Sequence, residues 1–269
     1  MATRSFRFAA AVLVALAAVA HAADKPKVPP GVDHGGVAVA VIDSGVDYTA
    51  PQIAKRLARD GEGDIIGLDF EDRDNQPFDQ SGSGTSLAGV ILNEAPGARL
   101  VPVRQRAGDI KSLAGAIAFV ASGPARIVLM TAATKSKEEW EPVRALAISR
   151  PDILFVLPAG DEGSNMDAEP RWPTAFGWAN MIVVTAADAG GQLSKGANIG
   201  PKSVDIAITA DSSGMVPGSH HAAARVSALA ARLKAAEPSL DGPALKHRIV
   251  STALRFASSV PSTRHGWIK

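Results

Sequence analysis

Val37-Ala38-Val39-Ala40-Val41-Ile42 is an unbroken apolar run that stops abruptly at Asp43-Ser44-Gly45. Six apolar residues, half of them β-branched valine, suit a strand buried on both faces rather than one wetted on alternate sides. Working outward, the same signature recurs at Ile65–Leu68, Leu100–Val103, Ile127–Met130, Ile153–Leu157, Met181–Thr185 and Val204–Ile208. Between these runs, Gly84–Asn93, Ile110–Ala121, Lys137–Ser149, Ala222–Ala236 and Pro243–Ala253 carry Ala and Leu at helical spacing. Glu237-Pro238-Ser239 stops one helix, and Asp241-Gly242-Pro243 starts the next with a capping Asp and a proline in the first turn. Strands alternating with helices need crossover connections. The expected fold is therefore α/β, a three-layer sandwich with a mostly parallel central sheet.

Composition narrows the class. The 269 residues hold 28 Lys+Arg against 27 Asp+Glu, are 46% hydrophobic and contain no Cys. The even charge balance argues against a nucleic-acid partner. Thiol chemistry and Cys-bound zinc are excluded outright. With 8 Phe, 4 Trp and 1 Tyr, aromatics are scarce, so Ala, Val, Ile and Leu must build the core.

The first residues read as an export signal. Arg4 and Arg7 precede the apolar stretch Ala9–Ala20, and Ala20-His21-Ala22 has the small-x-small pattern of a cleavage site. Removing residues 1–22 takes away two Arg and no acids, leaving 26 basic residues against 27 acidic. The expected organisation is a signal peptide over 1–22, a Pro-rich linker over 23–34 and one domain over 35–269. The destination is periplasmic or extracellular, with no membrane association after cleavage.

Polar residues gather at three strand-to-helix junctions: Asp43-Ser44-Gly45, Asp161-Glu162-Gly163 and Gly218-Ser219-His220-His221. In open α/β sheets such junctions hold the functional groups. Each also has a bland reading, since Asp-Ser-Gly is ordinary turn chemistry. Neither a Gly-x-Gly-x-x-Gly run nor a Walker pattern is present, which argues against nucleotide binding.

Taken in order, these segments resemble the subtilisin-like serine peptidases, the subtilases. Val39–Asp47 is similar to the strand that ends in the catalytic Asp, and Gly82-Ser83-Gly84-Thr85-Ser86-Leu87-Ala88-Gly89 to the His-Gly-Thr helix. Ala159-Gly160-Asp161-Glu162-Gly163 resembles the Ala-Gly-Asn-x-Gly oxyanion loop. Gly218-Ser219-His220-His221-Ala222 resembles Gly-Thr-Ser-Met-Ala at the nucleophile. The likeness covers roughly residues 35–258 and implies the subtilisin-like fold.

The chemistry departs from the pattern. A serine triad needs a nucleophile, a base and an orienting carboxylate. The resemblance puts Asp43 at the carboxylate, but Ser83 at the base, His220 at the nucleophile and Asp161 at the oxyanion donor. Thr131-Ala132-Ala133 resembles the peptide-binding Ser-x-Gly with its Gly lost. Losing one member of a subtilisin-type triad costs on the order of 10⁴–10⁶ in rate, and an oxyanion donor roughly another 10²–10³. Asp161 would also repel a developing oxyanion.

The resulting expectation is a catalytically inactive peptidase homologue whose cleft holds a peptide or protein partner, with an extended peptide added along an edge strand. The alternative is a serine-type hydrolase with an atypical site in which His220 activates Ser83. No cofactor is implied. Asp43, Asp161, His220 and His221 offer oxygen and nitrogen ligands, yet successive helical His point about 100° apart and do not share an ion. His34, His247 and His265 show no ligand spacing. Gln52 stands where the resemblance suggests a calcium-ligating Asp, so no calcium site carries over. The segment between Ala22 and the first strand is too short for the prodomain usual in the family, and folding is expected to proceed unaided. Finally, the positive end of the Ala222–Ala236 helix disfavours a protonated His220, which predicts a compensating His220–Asp161 contact.

Overall fold

The structure is a computed structural model that describes residues 25–210, 215–216, 218–255 and 262–269. The expected signal peptide lies outside the described residues. Eight strands form one sheet, in chain order β1 (Ala38–Asp43), β2 (Leu68–Asp69), β3 (Arg99–Arg104), β4 (Ile127–Met130), β5 (Leu154–Pro158), β6 (Met181–Ala187), β7 (Ile206–Thr209) and β8 (Trp267–Ile268). Their spatial order is β2-β3-β1-β4-β5-β6-β7-β8, and every pairing is parallel.

The helices are α1 (Pro51–Ala54), α2 (Ser83–Glu94), α3 (Ile110–Ser122), α4 (Glu141–Ile148), α5 (Gly218–Ala236) and α6 (Gly242–Val250). Alternate residues of β1 serve the two faces. Val39 and Val41 join the cluster that buries Leu87 and Ile91 of α2, the alanines of α5 and Leu245 of α6. Ala38, Ala40 and Ile42 face Leu113 and Ile117 of α3 and Val143 of α4. Each fully buried Val, Leu or Ile is worth roughly 1.5–3 kcal/mol, so the apolar runs that fixed the sequence reading also hold the sheet together. Six alanines of α5 are buried, and their small side chains let this helix lie close across β4–β7.

This order creates the site. β1 lies between β3 and β4, and the chain leaves β2 through α2 on one face but leaves β3 through α3 on the other. A crevice therefore opens beyond the carboxyl end of β1, where the connections diverge. Asp43 is the last residue of that strand.

Several expected elements differ in extent. Of Ile65–Leu68 only Leu68 enters the sheet, in the two-residue β2, because Ile65 bridges Arg59 and the Ile66 amide donates to Ala58. Lys137–Ser149 divides into a 3₁₀ turn at Glu138–Trp140 and α4, which starts with Pro142 in its first turn. Helix α5 begins at Gly218, four residues earlier than the alanine pattern suggested. Asp241 caps α6 as expected, accepting from the Ala244 amide at 2.8 Å.

The linker expected over 23–34 forms neither helix nor strand among its described residues. Its described part is pinned to the domain: Tyr48 Oη donates to the Pro26 carbonyl (2.7 Å), Arg59 to that of Pro29 (2.8 Å), and Asp33 pairs with Arg99. Proline-rich composition marks an irregular backbone, but it does not reveal which carbonyls find donors in the fold.

Candidate functional site

The Asp43 carboxylate is already satisfied. One oxygen accepts from Thr131 Oγ1 and the other from the Ser44 amide at 2.8 Å. Ser44 Oγ lies 3.1 Å from that second oxygen and 2.9 Å from Asp79 Oδ1, and it accepts the Gly84 amide at 3.0 Å. One hydroxyl proton serves two carboxylates, so Ser44 ties the end of β1 to the start of α2.

Asp79 fixes that helix start. Gly82, at the N-cap with φ +87°, has no side chain to satisfy the first-turn amides. Asp79 accepts from the amides of Gly82 (2.8 Å), Thr85 (2.8 Å) and Ser81 (2.9 Å), and from Thr85 Oγ1 (2.6 Å). Burial pushes this carboxyl up. The hydroxyl and amide of Thr85, the Gly82 amide and the Ser44 hydroxyl outweigh it and hold Asp79 below the usual range. Close approach completes the junction, since a Cβ on Gly84 would meet the Gly45 carbonyl oxygen at 2.0 Å. Ser83 is thereby presented to the crevice on the first turn of α2.

Across the crevice, Asn198 organises the Ala159–Gly163 loop. It is fully buried; its side chain donates to the Ala159 carbonyl (2.8 Å) and accepts the Glu162 and Ser164 amides (3.1 and 2.8 Å). Gly160 adopts φ +100°, and a Cβ there would strike Asn198 Nδ2 at 2.5 Å. The loop delivers Asp161 to the N-terminus of α5. The Ser219 amide donates to Asp161 Oδ1 at 3.0 Å, and the buried Ser219 hydroxyl donates to Oδ2. His220 Nδ1 stands 3.8 Å from Asp161 Oδ2 and 3.4 Å from Ser219 Oγ. The expected His220–Asp161 contact thus forms at ion-pair range, with Ser219 making the hydrogen bonds. Burial pushes the Asp161 carboxyl up, but the neighbouring His220 and the two Ser219 donors lower it further than burial raises it.

Asp43, Ser83, Thr131, Ala132, Ala133 and His220 all line one cleft of about 610 Å³. Two stretches of the chain contribute to its lining: Arg104–Gly108, which starts at the end of β3, and 131–133, which follows β4. Asp161 backs His220 at the head of α5. His34, His247 and His265 do not line this cleft, and among the described residues no cluster of three His, Cys, Asp or Glu could hold a metal ion.

Asp79 was not singled out from the sequence; Ser44 stood out only within the Asp43-Ser44-Gly45 junction, and Asn198 only within Ala197-Asn198-Ile199-Gly200-Pro201, which resembles the subtilase pattern. The Asp79 signal was an Asp four residues before a helix start, ahead of a Gly that cannot cap. No local pattern gives Asn198 its loop-organising role, because its partners are 34–39 residues away in the chain.

A parallel α/β sheet with a polar crevice beyond the carboxyl end of β1 is the arrangement in which open α/β proteins place their functional sites. Residues 34–267 match the subtilase family, and the chain belongs to it. It is similar to the thermophilic serine proteinase of Bacillus sp. (strain AK1), 28% identical over 256 residues, covering 87% of this chain and 60% of that protein. It also resembles the cell wall-associated protease of Bacillus subtilis (strain 168), at 23% over 165 residues, 55% of this chain and 18% of that one. The chain therefore spans less than two thirds of the length of these curated relatives. Among solved structures, a lanthipeptide protease superposes with a TM-score of 0.74 at 18% identity, covering 88% of this chain and 86% of its own. A cold adapted subtilisin-like serine proteinase gives 0.72 at 20%, covering 90% and 92%. Among the described residues, no helix is long and apolar enough to cross a membrane.

Proposed function

We propose that this protein is an exported, catalytically inactive subtilase that holds an extended peptide or protein partner in its cleft without cutting it. One observation carries the reading: Asp161 accepts the amide and hydroxyl of Ser219 at the head of α5. In the subtilase pattern this position supplies a neutral donor to the oxyanion. Here an anion stands there, already engaged with the positive end of a 19-residue helix. A preorganised donor stabilises developing negative charge; a carboxylate opposes it.

The other departures act in the same direction. Ser83 has no titratable nitrogen and cannot serve as a base in the position beside Asp43, whose carboxylate is occupied by Thr131 and Ser44. His220 at the nucleophile position forms no acyl-enzyme of the serine type. Binding does not need these groups. The two chain stretches lining the cleft, Arg104–Gly108 and 131–133, leave room between them for an extended peptide, with its side chains seated in the cavity of about 610 Å³. Export is supported by the basic-apolar-small pattern of residues 1–22.

The test pairs a fluorophosphonate probe with casein hydrolysis on the purified chain. Neither labelling nor turnover is expected, while casein-derived peptides bind intact. Covalent labelling at Ser83, or turnover that disappears in His220→Ala, would instead establish the swapped hydrolase in which His220 activates Ser83.

A further inference from the structure

We propose that residues 25–35 are a strap whose Lys25 ammonium latches the acidic turn Asp69–Gln76 and so sets one wall of the cleft. Lys25 is only 3% exposed at its side chain, a rare state for lysine unless it is paired. Its Nζ lies 2.6 Å from Asp69, 2.8 Å from Asp72 and 3.0 Å from Asp74. Burial disfavours the ammonium, but the hydrogen bonds to these three carboxylates more than offset it and raise its pKa.

The turn is built around Asp69. One carboxylate oxygen accepts the Glu71 and Asp72 amides at 2.8 and 2.9 Å, and the other takes Lys25 and Arg104. Arg104 also holds Asp72 at 2.6 Å and Glu71 at 3.2 Å. Two cations thus bridge the same pair of acids. Arg104 and Glu71 line the cleft, and Arg104 sits beside Asp43 in the sheet register. Without Lys25, the four acids keep only Arg104 and the exposed Arg106, which reaches Glu71 at 3.4 Å, and the Asp74 carboxylate, still tied to Asp69 through the backbone, loses its cation. Like charges at such separations repel by kcal/mol amounts in a partly buried setting.

The strap carries its own anchors, which deliver Lys25 to this position. Tyr48, itself fully buried, donates to Pro26, Arg59 donates to Pro29, and the Arg59 amide donates to Asp33 at 3.0 Å. The inference concerns the shape of the cleft and is independent of what the cleft holds.

Hydrogen exchange of the full chain tests it with Lys25→Met and the double variant Lys25→Met/Asp74→Asn. In the single variant the Glu71 and Asp72 amides should exchange at least about tenfold faster, while core amides of β5 keep wild-type rates. In the double variant, where the surplus negative charge is gone, protection should return to within about threefold of wild type. Turn amides that stay at wild-type rates in Lys25→Met would overturn the latch. So would a double variant as fast as the single one, or β5 amides that accelerate as much as the turn.

Discussion

Replacing Asp79 by Asn isolates the group that seats α2 and Ser83 against β1. One Asp79 oxygen accepts from the amide and hydroxyl of Thr85; the other accepts from Ser81, Gly82 and Ser44. An amide keeps one acceptor and turns an NH₂ toward donors, so at least the two Thr85 bonds are lost. At roughly 1.5 kcal/mol for the weaker charge-assisted bonds, the loss is about 3 kcal/mol before any repulsion is counted. For a domain of this size that lowers Tm by about 6–12 °C.

The pH dependence gives a second, independent readout. Asp79 is held below its ordinary value of 3.8 in the folded state. Its contribution is therefore complete above the unfolded pKa and fades as pH falls through the lower, folded one. Urea unfolding of wild type and Asp79→Asn should show the full gap at pH 7 and a narrowing gap towards pH 3 and below. A gap under about 1 kcal/mol at pH 7, or one that does not change with pH, would refute the claim that a charged Asp79 anchors the helix.

Other consequences follow from contacts of the same kind. Gly84→Ala drives a Cβ into the Gly45 carbonyl and should cost about 1–3 kcal/mol or more, whereas Gly89→Ala on the same helix meets nothing within 4 Å and should stabilise by about 0.5–1 kcal/mol; paired thermal melts compare them directly. Asn180→Ala removes an amide that donates to the carbonyls of Ala147, Arg150 and Ile153, so unfolding free energy should drop by about 2–3 kcal/mol in denaturant titration. Lys246→Met leaves the buried Asp205 with Arg264 at 3.5 Å in place of an ammonium at 2.9 Å, and a loss of about 3 kcal/mol by the same assay is expected.

Much of the architecture was legible because burial on both faces leaves a local trace. The runs at Val37–Ile42 and Ile127–Met130 could hardly be anything but inner strands, and Asp241 with Pro243 announced α6 by position alone. Strand ends were less visible, as at Ile65–Leu68, where a long-range bridge to Arg59 competes with sheet pairing. The short β8 at Trp267–Ile268 was not read as a strand, since two residues carry no periodicity.

The substituted positions at the centre of the site are likewise properties of the chain itself: Ser83, Asp161 and His220 are side chains of fixed chemistry wherever they sit. Tertiary structure alone decided what those side chains meet. It placed β1 between β3 and β4 and so opened a crevice at Asp43; it gave the Asp43 carboxylate to Thr131, 88 residues away, and brought Lys25 to Asp69 across 44. Periodicity and capping act over a few residues and can be read in order. Hydrogen bonds and ion pairs act over a few ångströms, and only the folded chain determines which residues lie within that distance.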